Sequence, residues 1–411
     1  MSARPALFGF SLTVLALLLP GCHSGSNPAA NEPSATTPAP APAPAPARAG
    51  EASGVAQIKT YAELVHRSYL AALADARVMH AAVLAFVAEP QPTQLDAARV
   101  AWRRARASYG VTEAFRYYEG PIDFADAARN AEGPEGRLNA WPLNEAFIDN
   151  VAGDPKAGIV QNGTIPIQID ALVERNAAED EANVTTGYHA VEFLLWGQDL
   201  SPAGPGHRPA SDYAPGDPIR ARRGQYLKTV SALIVSDLEG LVAAWAPGQK
   251  NYRAEFEAMP PRRALGKLLT GLATLSGFEL ASERLAVGLD SGNQEHEQSC
   301  FSDTTTDDFR ANIQGIANVY HGRHADYRGQ GIDALVRAAD AALDARIASL
   351  IERANAQAKA LDAPFDRTLA SPKGSPERAR AEALVGTLQQ LAEALKALSG
   401  PLGVEVLVLA K

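Results

Sequence analysis

Hydrophobic residues recur at helical spacing along most of the chain after residue 54. The first such stretch, residues 55–87, contains no internal glycine or proline. No stretch shows the strict alternation of apolar and polar residues that is typical of strands. We therefore predict an all-α fold, with helices at 55–87, 95–118, 187–199, 219–245, 262–288, 308–320, 331–360 and 376–398.

Prolines and glycines set the limits of these helices. Thr93 is the predicted N-cap of the second helix, and Asn183 or Thr185 that of the helix at 187–199. Loops and short helices are expected at 123–163 and a polar loop at 290–306, whereas 165–178 fits either an extended segment or a helix.

The sequence suggests two helical-bundle halves, 55–205 and 206–411. Five prolines and three glycines fall within residues 201–218, which makes this the clearest internal boundary. In each half, a long helix is followed by a proline break and then by a second helix. Acidic and basic residues follow in that second helix: Glu113 and Arg116 in the first half, and Glu279, Glu283 and Arg284 in the second. An internal duplication is one interpretation of this likeness.

The most informative stretch is 187–199, where His189 and Glu192 interrupt an apolar run. Residues three apart share one helix face, with Cβ atoms about 5–6 Å apart. The two side chains could bind one metal ion together, one could orient the other, or they could form a purely structural hydrogen bond. If the helix continues through Gly197, Trp196 and Asp199 lie on the same edge.

The N-terminus has the features of an export signal. Arg4 precedes a short apolar segment, 7–19, which ends in Leu19-Pro20-Gly21-Cys22. This sequence resembles a lipoprotein cleavage site, so residues 1–21 are a predicted signal peptide, Cys22 a predicted lipidated residue and 22–54 a Pro/Ala-rich tether. His23 after the cysteine favours the outer membrane, facing the periplasm; a signal peptide without lipidation is the alternative.

Composition and missing motifs exclude several functions. A net charge of −9 argues against nucleic acid as a partner. The motifs His-Glu-x-x-His, Gly-x-Ser-x-Gly and Gly-x-x-x-x-Gly-Lys are absent from the sequence, so zincin, serine-hydrolase and nucleotide chemistry lack support. In the mature chain Cys300 has no cysteine to pair with; a buried, inert thiol is the first interpretation and a ligand or nucleophile the second.

Four further polar groups are candidates for chemistry, and each has a plain structural alternative. Glu113 and Arg116, with Asp123 close behind, fit a salt bridge, and residues 294–303 fit a solvated loop that is rich in potential ligands. Glu63 and His66 repeat the acid–histidine spacing of di-metal bundles but also suit an exposed helix face. His321 and His324 are expected at the surface.

The chain resembles the imelysin-like family of bacterial envelope proteins. The resemblance is carried by Gly187-x-His189-x-x-Glu192 followed by Phe-Leu-Leu-Trp-Gly-Gln-Asp, and by blocks at 102–106, 112–116, 120–123, 141–145 and 299–303. It implies two four-helix-bundle domains, a site near their interface, and a link to iron. Many relatives have histidine where this chain has Gln298 and Thr306, which weakens any metal site that uses those positions; His296 is a possible substitute.

Three functional hypotheses follow. The first is an envelope lipoprotein that binds a divalent metal, iron or alternatively zinc, and acts with iron-uptake components. Its predicted ligands are His189 and Glu192, with Asp123, Asp199 and Glu297 as further candidates. The residues predicted to line the pocket are Trp141, Trp196, Cys300 and Asp303. The second is a metallopeptidase, as which the family is catalogued, with Glu113 as general base and Arg116 steadying the oxyanion. The third is an envelope scaffold without catalysis, in which His189 and Glu192 are structural.

Overall fold

The computed structural model describes residues 54–126, 131–362 and 364–407. All of them belong to one compact unit, Ala47–Lys411. The predictions for the signal peptide, Cys22 and the tether up to residue 53 lie outside the described residues. The division into halves at residue 205 and the duplication stay predictions.

The described chain is 67% helical and has two short sheets, which confirms the predicted all-α class. The helices up to residue 196 are α1 (Val55–Ala88), α2 (Pro92–Gly110), α3 (Glu135–Leu138), α4 (Glu145–Ile148), α5 (Gly158–Gln161), α6 (Ile169–Arg175) and α7 (Gly187–Trp196). The later helices are α8 (Pro218–Trp245), α9 (Tyr252–Ala258), α10 (Pro261–Thr274), α11 (Val287–Ser291), α12 (Thr305–His321), α13 (Ile332–Ala339), α14 (Ala341–Lys359), α15 (Asp366–Ala370), α16 (Pro376–Lys396) and α17 (Ser399–Leu402).

Shorter elements connect these helices. Tight 3₁₀ turns form at Val111–Phe115, Ala210–Tyr213 and Gln294–His296, and Leu275–Ala286 continues α10 as a π-helix. Two antiparallel ladders pair β1 (Phe124–Asp126) with β2 (Ala131–Glu132) and β3 (Arg323–His324) with β4 (Tyr327–Arg328). Strands of two or three residues are too short to produce a readable alternation in sequence.

The packing places α7 in the interior. Helix α1 packs against α2 and α8, and α7 packs against both α2 and α8. Every residue of α7 is buried, which explains its nearly uninterrupted apolar sequence. On the other side of the core α16 packs against α10, α14 and the π-helix. By length and composition α1 could also cross a membrane, a test that a core helix passes as well.

Several predicted helix limits are wrong, for local reasons. Helix α2 begins at Pro92 rather than after Thr93, since proline is well suited to the first helical position. It tightens into a 3₁₀ turn at Val111 and ends before residue 118, because Tyr117 adopts a positive φ of 68°. The predicted helix 331–360 is two helices, α13 and α14, since the Asp340 side chain accepts a hydrogen bond from Leu343 N and caps α14.

Glycines rather than the predicted caps set both ends of α7. The N-cap is Thr186, without a capping hydrogen bond from its side chain, and the Thr185 hydroxyl instead donates to the Leu172 carbonyl. Gly187 has a φ of 86° and Gly197 a φ of 75°, values that glycine adopts without steric cost. Because α7 ends at Trp196, Asp199 lies beyond the helix.

Replacing Gly187 by alanine tests the close approach at the start of α7. A Cβ atom here would lie 2.6 Å from the Leu138 carbonyl oxygen, in a backbone conformation that alanine disfavours. We expect Gly187→Ala to lower the free energy of unfolding by about 2 kcal/mol or more, measured by chemical denaturation. The matched control is Gly240→Ala in α8, where a Cβ meets open space and should stabilise the helix by about 0.5–1 kcal/mol. Equal effects of the two substitutions would contradict this account.

Candidate functional site

His189 and Glu192, which we call the His–Glu pair, contact each other inside α7. His189 Nδ1 lies 2.9 Å from Glu192 Oε2, and both side chains are buried. The other carboxyl oxygen, Glu192 Oε1, accepts hydrogen bonds from the Ser302 backbone N–H at 2.9 Å and the Ser302 hydroxyl at 2.7 Å. Both oxygens of Glu192 are therefore engaged by protein groups.

Burial and neighbouring charges keep the imidazole neutral. Desolvation lowers the pKa of His189 well below its ordinary value, and the guanidinium groups of Arg106 and Arg284 lower it further. Burial also raises the pKa of Glu192 to about 8. His189 Nε2 is buried and has no hydrogen-bond partner among the described residues. The positive charge of two nearby arginines disfavours a cation at this nitrogen.

A buried set of ion pairs, which we call the arginine network, lies beside α7. Glu113 Oε2 accepts a hydrogen bond from Arg284 Nη2 at 2.7 Å and its Oε1 accepts one from Asn139 Nδ2 at 3.0 Å. Arg106 donates to Asp308 Oδ1 at 2.8 Å. Burial by itself would raise the pKa of Glu113. The positive charges of Arg284, Arg116 and Arg106 outweigh this effect and lower the pKa to about 2. At neutral pH Glu113 is an ionised partner of arginines and a weak base.

Arg116 and Asp123 belong to the same network. Arg116 pairs with Glu135 at 2.7 Å, Glu113 at 3.3 Å and Asp123 at 3.4 Å. Asp123 Oδ2 also accepts the Tyr117 backbone N–H at 2.8 Å. Asp123 is thus committed to a cation and a backbone donor, which leaves it little capacity as a metal ligand.

A second group of acids lies beyond the C-terminus of α7. One carboxylate oxygen from each of Asp199, Asp303 and Asp366 lies within 4.8 Å of the other two, and no other convergent group of three His, Cys, Asp or Glu ligands occurs in the described chain. Glu297 lies beside them, since the charges of Asp366, Asp303 and Asp199 all raise its pKa. We call Asp199, Glu297, Asp303 and Asp366 the acidic cluster.

The acidic cluster lacks compensating donors. Asp199 Oδ1 accepts the Ser201 N–H at 3.0 Å, but the other seven carboxylate oxygens are buried and have no hydrogen-bond donor of ordinary geometry in the described residues. None of the four acids forms an ion pair within the described ranges. Asp199 and Asp366 are each 4% exposed and Glu297 is 1% exposed, so water reaches them poorly. Buried carboxylates in this state are costly to ionise.

The pKa values express this cost. Burial, followed by the charges of Asp366 and Asp199, raises the pKa of Asp303 to about 7. The pKa of Glu297 lies well above its ordinary value, first through burial and then through Asp366, although the Thr305 hydroxyl partly lowers it. The carboxyl groups of Glu297 and Asp366 are close enough to share a proton, as are those of Asp199 and Asp303. Protons or a cation must balance the charge of the acidic cluster.

Separate segments bring the four acids together. Asp199 follows the turn at Gly197, and Glu297 follows the 3₁₀ turn at 294–296. Asp303 precedes α12 and adopts a positive φ of 57°. Asp366 opens α15, next to Phe365, whose ring packs edge-on against Phe309 of α12 at 5.3 Å. The contact between Phe365 and Phe309 and the packing of α15 against α11 and α16 therefore position the fourth acid.

The predicted pocket residues Trp196, Trp141 and Cys300 each have defined surroundings. Trp196 packs against Trp102 at 5.3 Å, beneath Arg99 and Arg103, and Trp141 Nε1 donates to the Glu297 carbonyl at 2.7 Å. Cys300 is buried, and burial raises the pKa of its thiol well above the ordinary value. The thiol is therefore not activated, and the role of these residues as a pocket lining stays a prediction.

The remaining candidates are engaged elsewhere. Glu63 pairs with Arg67 and Arg253 and not with His66. His321 pairs with Asp333, and His324 Nδ1 lies 3.4 Å from the Ser68 hydroxyl. His296 contacts the Ser291 hydroxyl at 2.7 Å and is outside the convergent group of acids. Gln298 and Thr306 are both buried. Sequence reasoning missed Asp366, because an isolated aspartate more than 60 residues from its partners carries no pattern.

The pKa of Glu113 predicts how stability depends on pH. Because folding lowers this pKa from 4.5 to about 2, the stabilisation is complete above about pH 4.5 and is lost as pH falls towards 2. Glu113→Gln should therefore cost about 3 kcal/mol at pH 7, and the difference from the wild type should shrink between pH 4.5 and 3. Urea unfolding across this range measures it, with the exposed Glu89, changed to Gln, as control. A difference that stays constant with pH would contradict the assignment.

Comparison with known proteins places this geometry in a family. The imelysin family model (Peptidase_M75) matches residues 65–396. Iron-regulated protein A of Synechococcus elongatus is 25% identical over 323 residues, which is 76% of this chain and 77% of that protein.

Two crystal structures have a similar fold. A candidate iron-regulated protein A precursor from Parabacteroides distasonis ATCC 8503 is 20% identical with a TM-score of 0.66, over 87% of this chain and 97% of that one. An imelysin-like protein from Psychrobacter arcticum 273-4 is 13% identical with a TM-score of 0.60, over 88% and 98%. Since the family model spans most of the chain, this protein belongs to the imelysin family.

Proposed function

We propose that this protein binds a metal ion as cargo at the acidic cluster and takes part in iron uptake at the bacterial cell envelope. One observation carries the proposal: three aspartates converge beside Glu297, and seven of the eight carboxylate oxygens of these four acids are buried without a hydrogen-bond donor of ordinary geometry in the described chain. A bound cation would neutralise them and supply the missing partner of each oxygen.

The donor set narrows the kind of cation. Carboxylate oxygens without imidazole or thiolate suit hard cations better than zinc, which prefers nitrogen and sulfur ligands. Calcium, manganese and iron all fit such donors. The choice of iron rests on the relative described as an iron-regulated protein.

The acidic cluster supports this role better than the His–Glu pair does. His189 lies near Arg106 and Arg284, and both oxygens of Glu192 are already engaged by protein groups. Asp303 is the most exposed residue of the acidic cluster, although both of its carboxylate oxygens are buried. A cation at the cluster meets negative charge, and one at His189 meets positive charge.

The other two hypotheses receive less support. For a metallopeptidase, Glu113 would have to act as general base, but its pKa of about 2 and its ion pair with Arg284 make it a poor proton acceptor. A scaffold without a ligand gives no reason for gathering four acids that form no ion pair in the described residues. It is the expected conclusion if no metal binds.

The envelope location is part of the proposal. It rests on the sequence of residues 1–22, in which a short apolar segment leads to Cys22. Acyl chains on this cysteine would hold the protein at the membrane, and the Pro/Ala-rich tether would separate the domain from it.

Metal binding can be tested on the full chain by equilibrium dialysis with Fe²⁺, Mn²⁺, Ca²⁺ and Zn²⁺. We expect iron to bind more tightly than zinc, and Asp366→Asn to weaken binding at least about tenfold, because removing a ligand should cost no less than removing a group that orients one. The control is Asp290→Asn, an exposed acid outside the cluster. Binding of manganese or calcium without iron would refute the iron assignment, and binding unaffected by Asp366→Asn would refute the site.

The anchor can be tested by fractionating cells that express the wild type or Cys22→Ser. We expect the wild type in the membrane fraction and Cys22→Ser in the soluble periplasmic fraction, because the acyl chains are lost. Cys300→Ser, which changes the other cysteine, should remain with the membrane. A wild-type protein that is soluble without detergent would argue for a signal peptide without lipidation.

A further inference from the structure

The His–Glu pair is connected to the acidic cluster through a single residue. Ser302 gives both its backbone N–H and its hydroxyl to Glu192 Oε1, at 2.9 and 2.7 Å. The next residue in the chain is Asp303, one of the three aspartates that converge. All three atoms of this contact are buried, so water competes poorly for the hydrogen bonds.

Asp303 needs such a support because of its backbone conformation. Its φ of 57° lies in the left-handed region, which residues with a Cβ atom adopt at an energetic cost. Such a conformation persists when surrounding contacts fix it. The hydrogen bonds from Ser302 to Glu192 fix the residue directly before it.

Other contacts complete the loop around Asp303. The Ser302 hydroxyl lies 2.8 Å from that of Thr304, and Thr304 N–H donates to the Ser299 carbonyl at 3.2 Å. The Phe301 carbonyl accepts the Gly206 N–H at 3.0 Å, and the Phe301 ring packs against Phe193 of α7 at 5.2 Å. The loop is thus fastened to α7 by packing and to Glu192 by hydrogen bonds.

We infer that Glu192 is a positioning residue, which holds the loop at 299–304 so that Asp303 faces the metal in the acidic cluster. His189, in turn, holds Glu192 through the contact of 2.9 Å between Nδ1 and Oε2. The motif Gly-x-His-x-x-Glu then shapes the site from inside the core and supplies none of its ligands. This inference rests on the proposed function, since it assumes that the acidic cluster binds a metal.

The geometry separates this role from that of a ligand. A ligand needs a free lone pair directed at the metal, whereas Glu192 Oε1 already accepts two hydrogen bonds and Oε2 contacts the imidazole. Within the described ranges, the convergent group of acids also contains neither His189 nor Glu192.

The test compares Glu192→Gln, Glu192→Ala and Ser302→Ala for Fe²⁺ affinity and for melting temperature without metal. In Glu192→Gln the amide oxygen can still accept from Ser302 and the amide N–H can donate to His189, so we expect affinity within about threefold of the wild type. Glu192→Ala should lose about 10- to 100-fold, the usual effect of removing a group that orients a ligand. Ser302→Ala should fall between them, and Ser302→Thr, which keeps the hydroxyl, should restore affinity.

A matched control separates positioning from general stability. Ser231→Ala likewise removes a buried serine hydroxyl, which contacts His80 at 2.9 Å and lies outside the acidic cluster. It should lower the melting temperature and leave Fe²⁺ affinity unchanged. If Glu192→Ala fails to fold, Ser302→Ala still carries the test.

Two results would overturn the inference. If Glu192→Gln loses as much affinity as Asp303→Asn, Glu192 is itself a ligand. If neither Glu192→Ala nor Ser302→Ala changes affinity, the loop does not depend on Glu192. Failure of the proposed function has a different signature, in which Asp303→Asn and Asp366→Asn bind Fe²⁺ as the wild type does or the wild type binds none.

Discussion

A buried carboxylate is stable only if something balances its charge, and this constraint organises the interior of the protein. Glu113 is balanced by arginines, and its pKa is lowered to about 2. Burial, followed by the charges of neighbouring acids, raises the pKa of Asp303 to about 7. The shifts are opposite because the nearest charges have opposite signs. The protein therefore completes one set of buried acids internally and leaves the other to protons or a cation.

Helix α7 lies between these two environments. Arg106 and Arg284 of the arginine network depress the pKa of His189, while Glu192 contacts Ser302 next to the acidic cluster. The glycines at its two ends allow the close packing that puts every residue of the helix in the core. A helix so enclosed is well placed to fix the geometry of neighbouring loops, because close-packed interiors have low compressibility and transmit strain.

The acidic cluster agrees with membership of the imelysin family in its link to iron. It differs from the family in the histidines expected near the site. The relative described as iron-regulated suggests a role connected with iron, and an all-oxygen site suits a hard cation. Yet the histidines expected from the family resemblance are replaced by Gln298 and Thr306. Without these imidazoles the donors that converge here are carboxylates, and the geometry assigns the motif histidine to support rather than coordination.

The sequence alone determined the helical class, most of the long helices and the placement of His189 and Glu192 on one helix face, because these depend on periodicity and on residues three or four apart. It also marked Asp199, Glu297 and Asp303 as candidates. It could not show that Asp199 leaves the helix at Gly197, that Arg284 pairs with Glu113, or that Asp366 completes the acidic cluster. Those contacts join residues that are far apart in the chain, and only the packing of α7, α12 and α15 decides which of these buried charges meet.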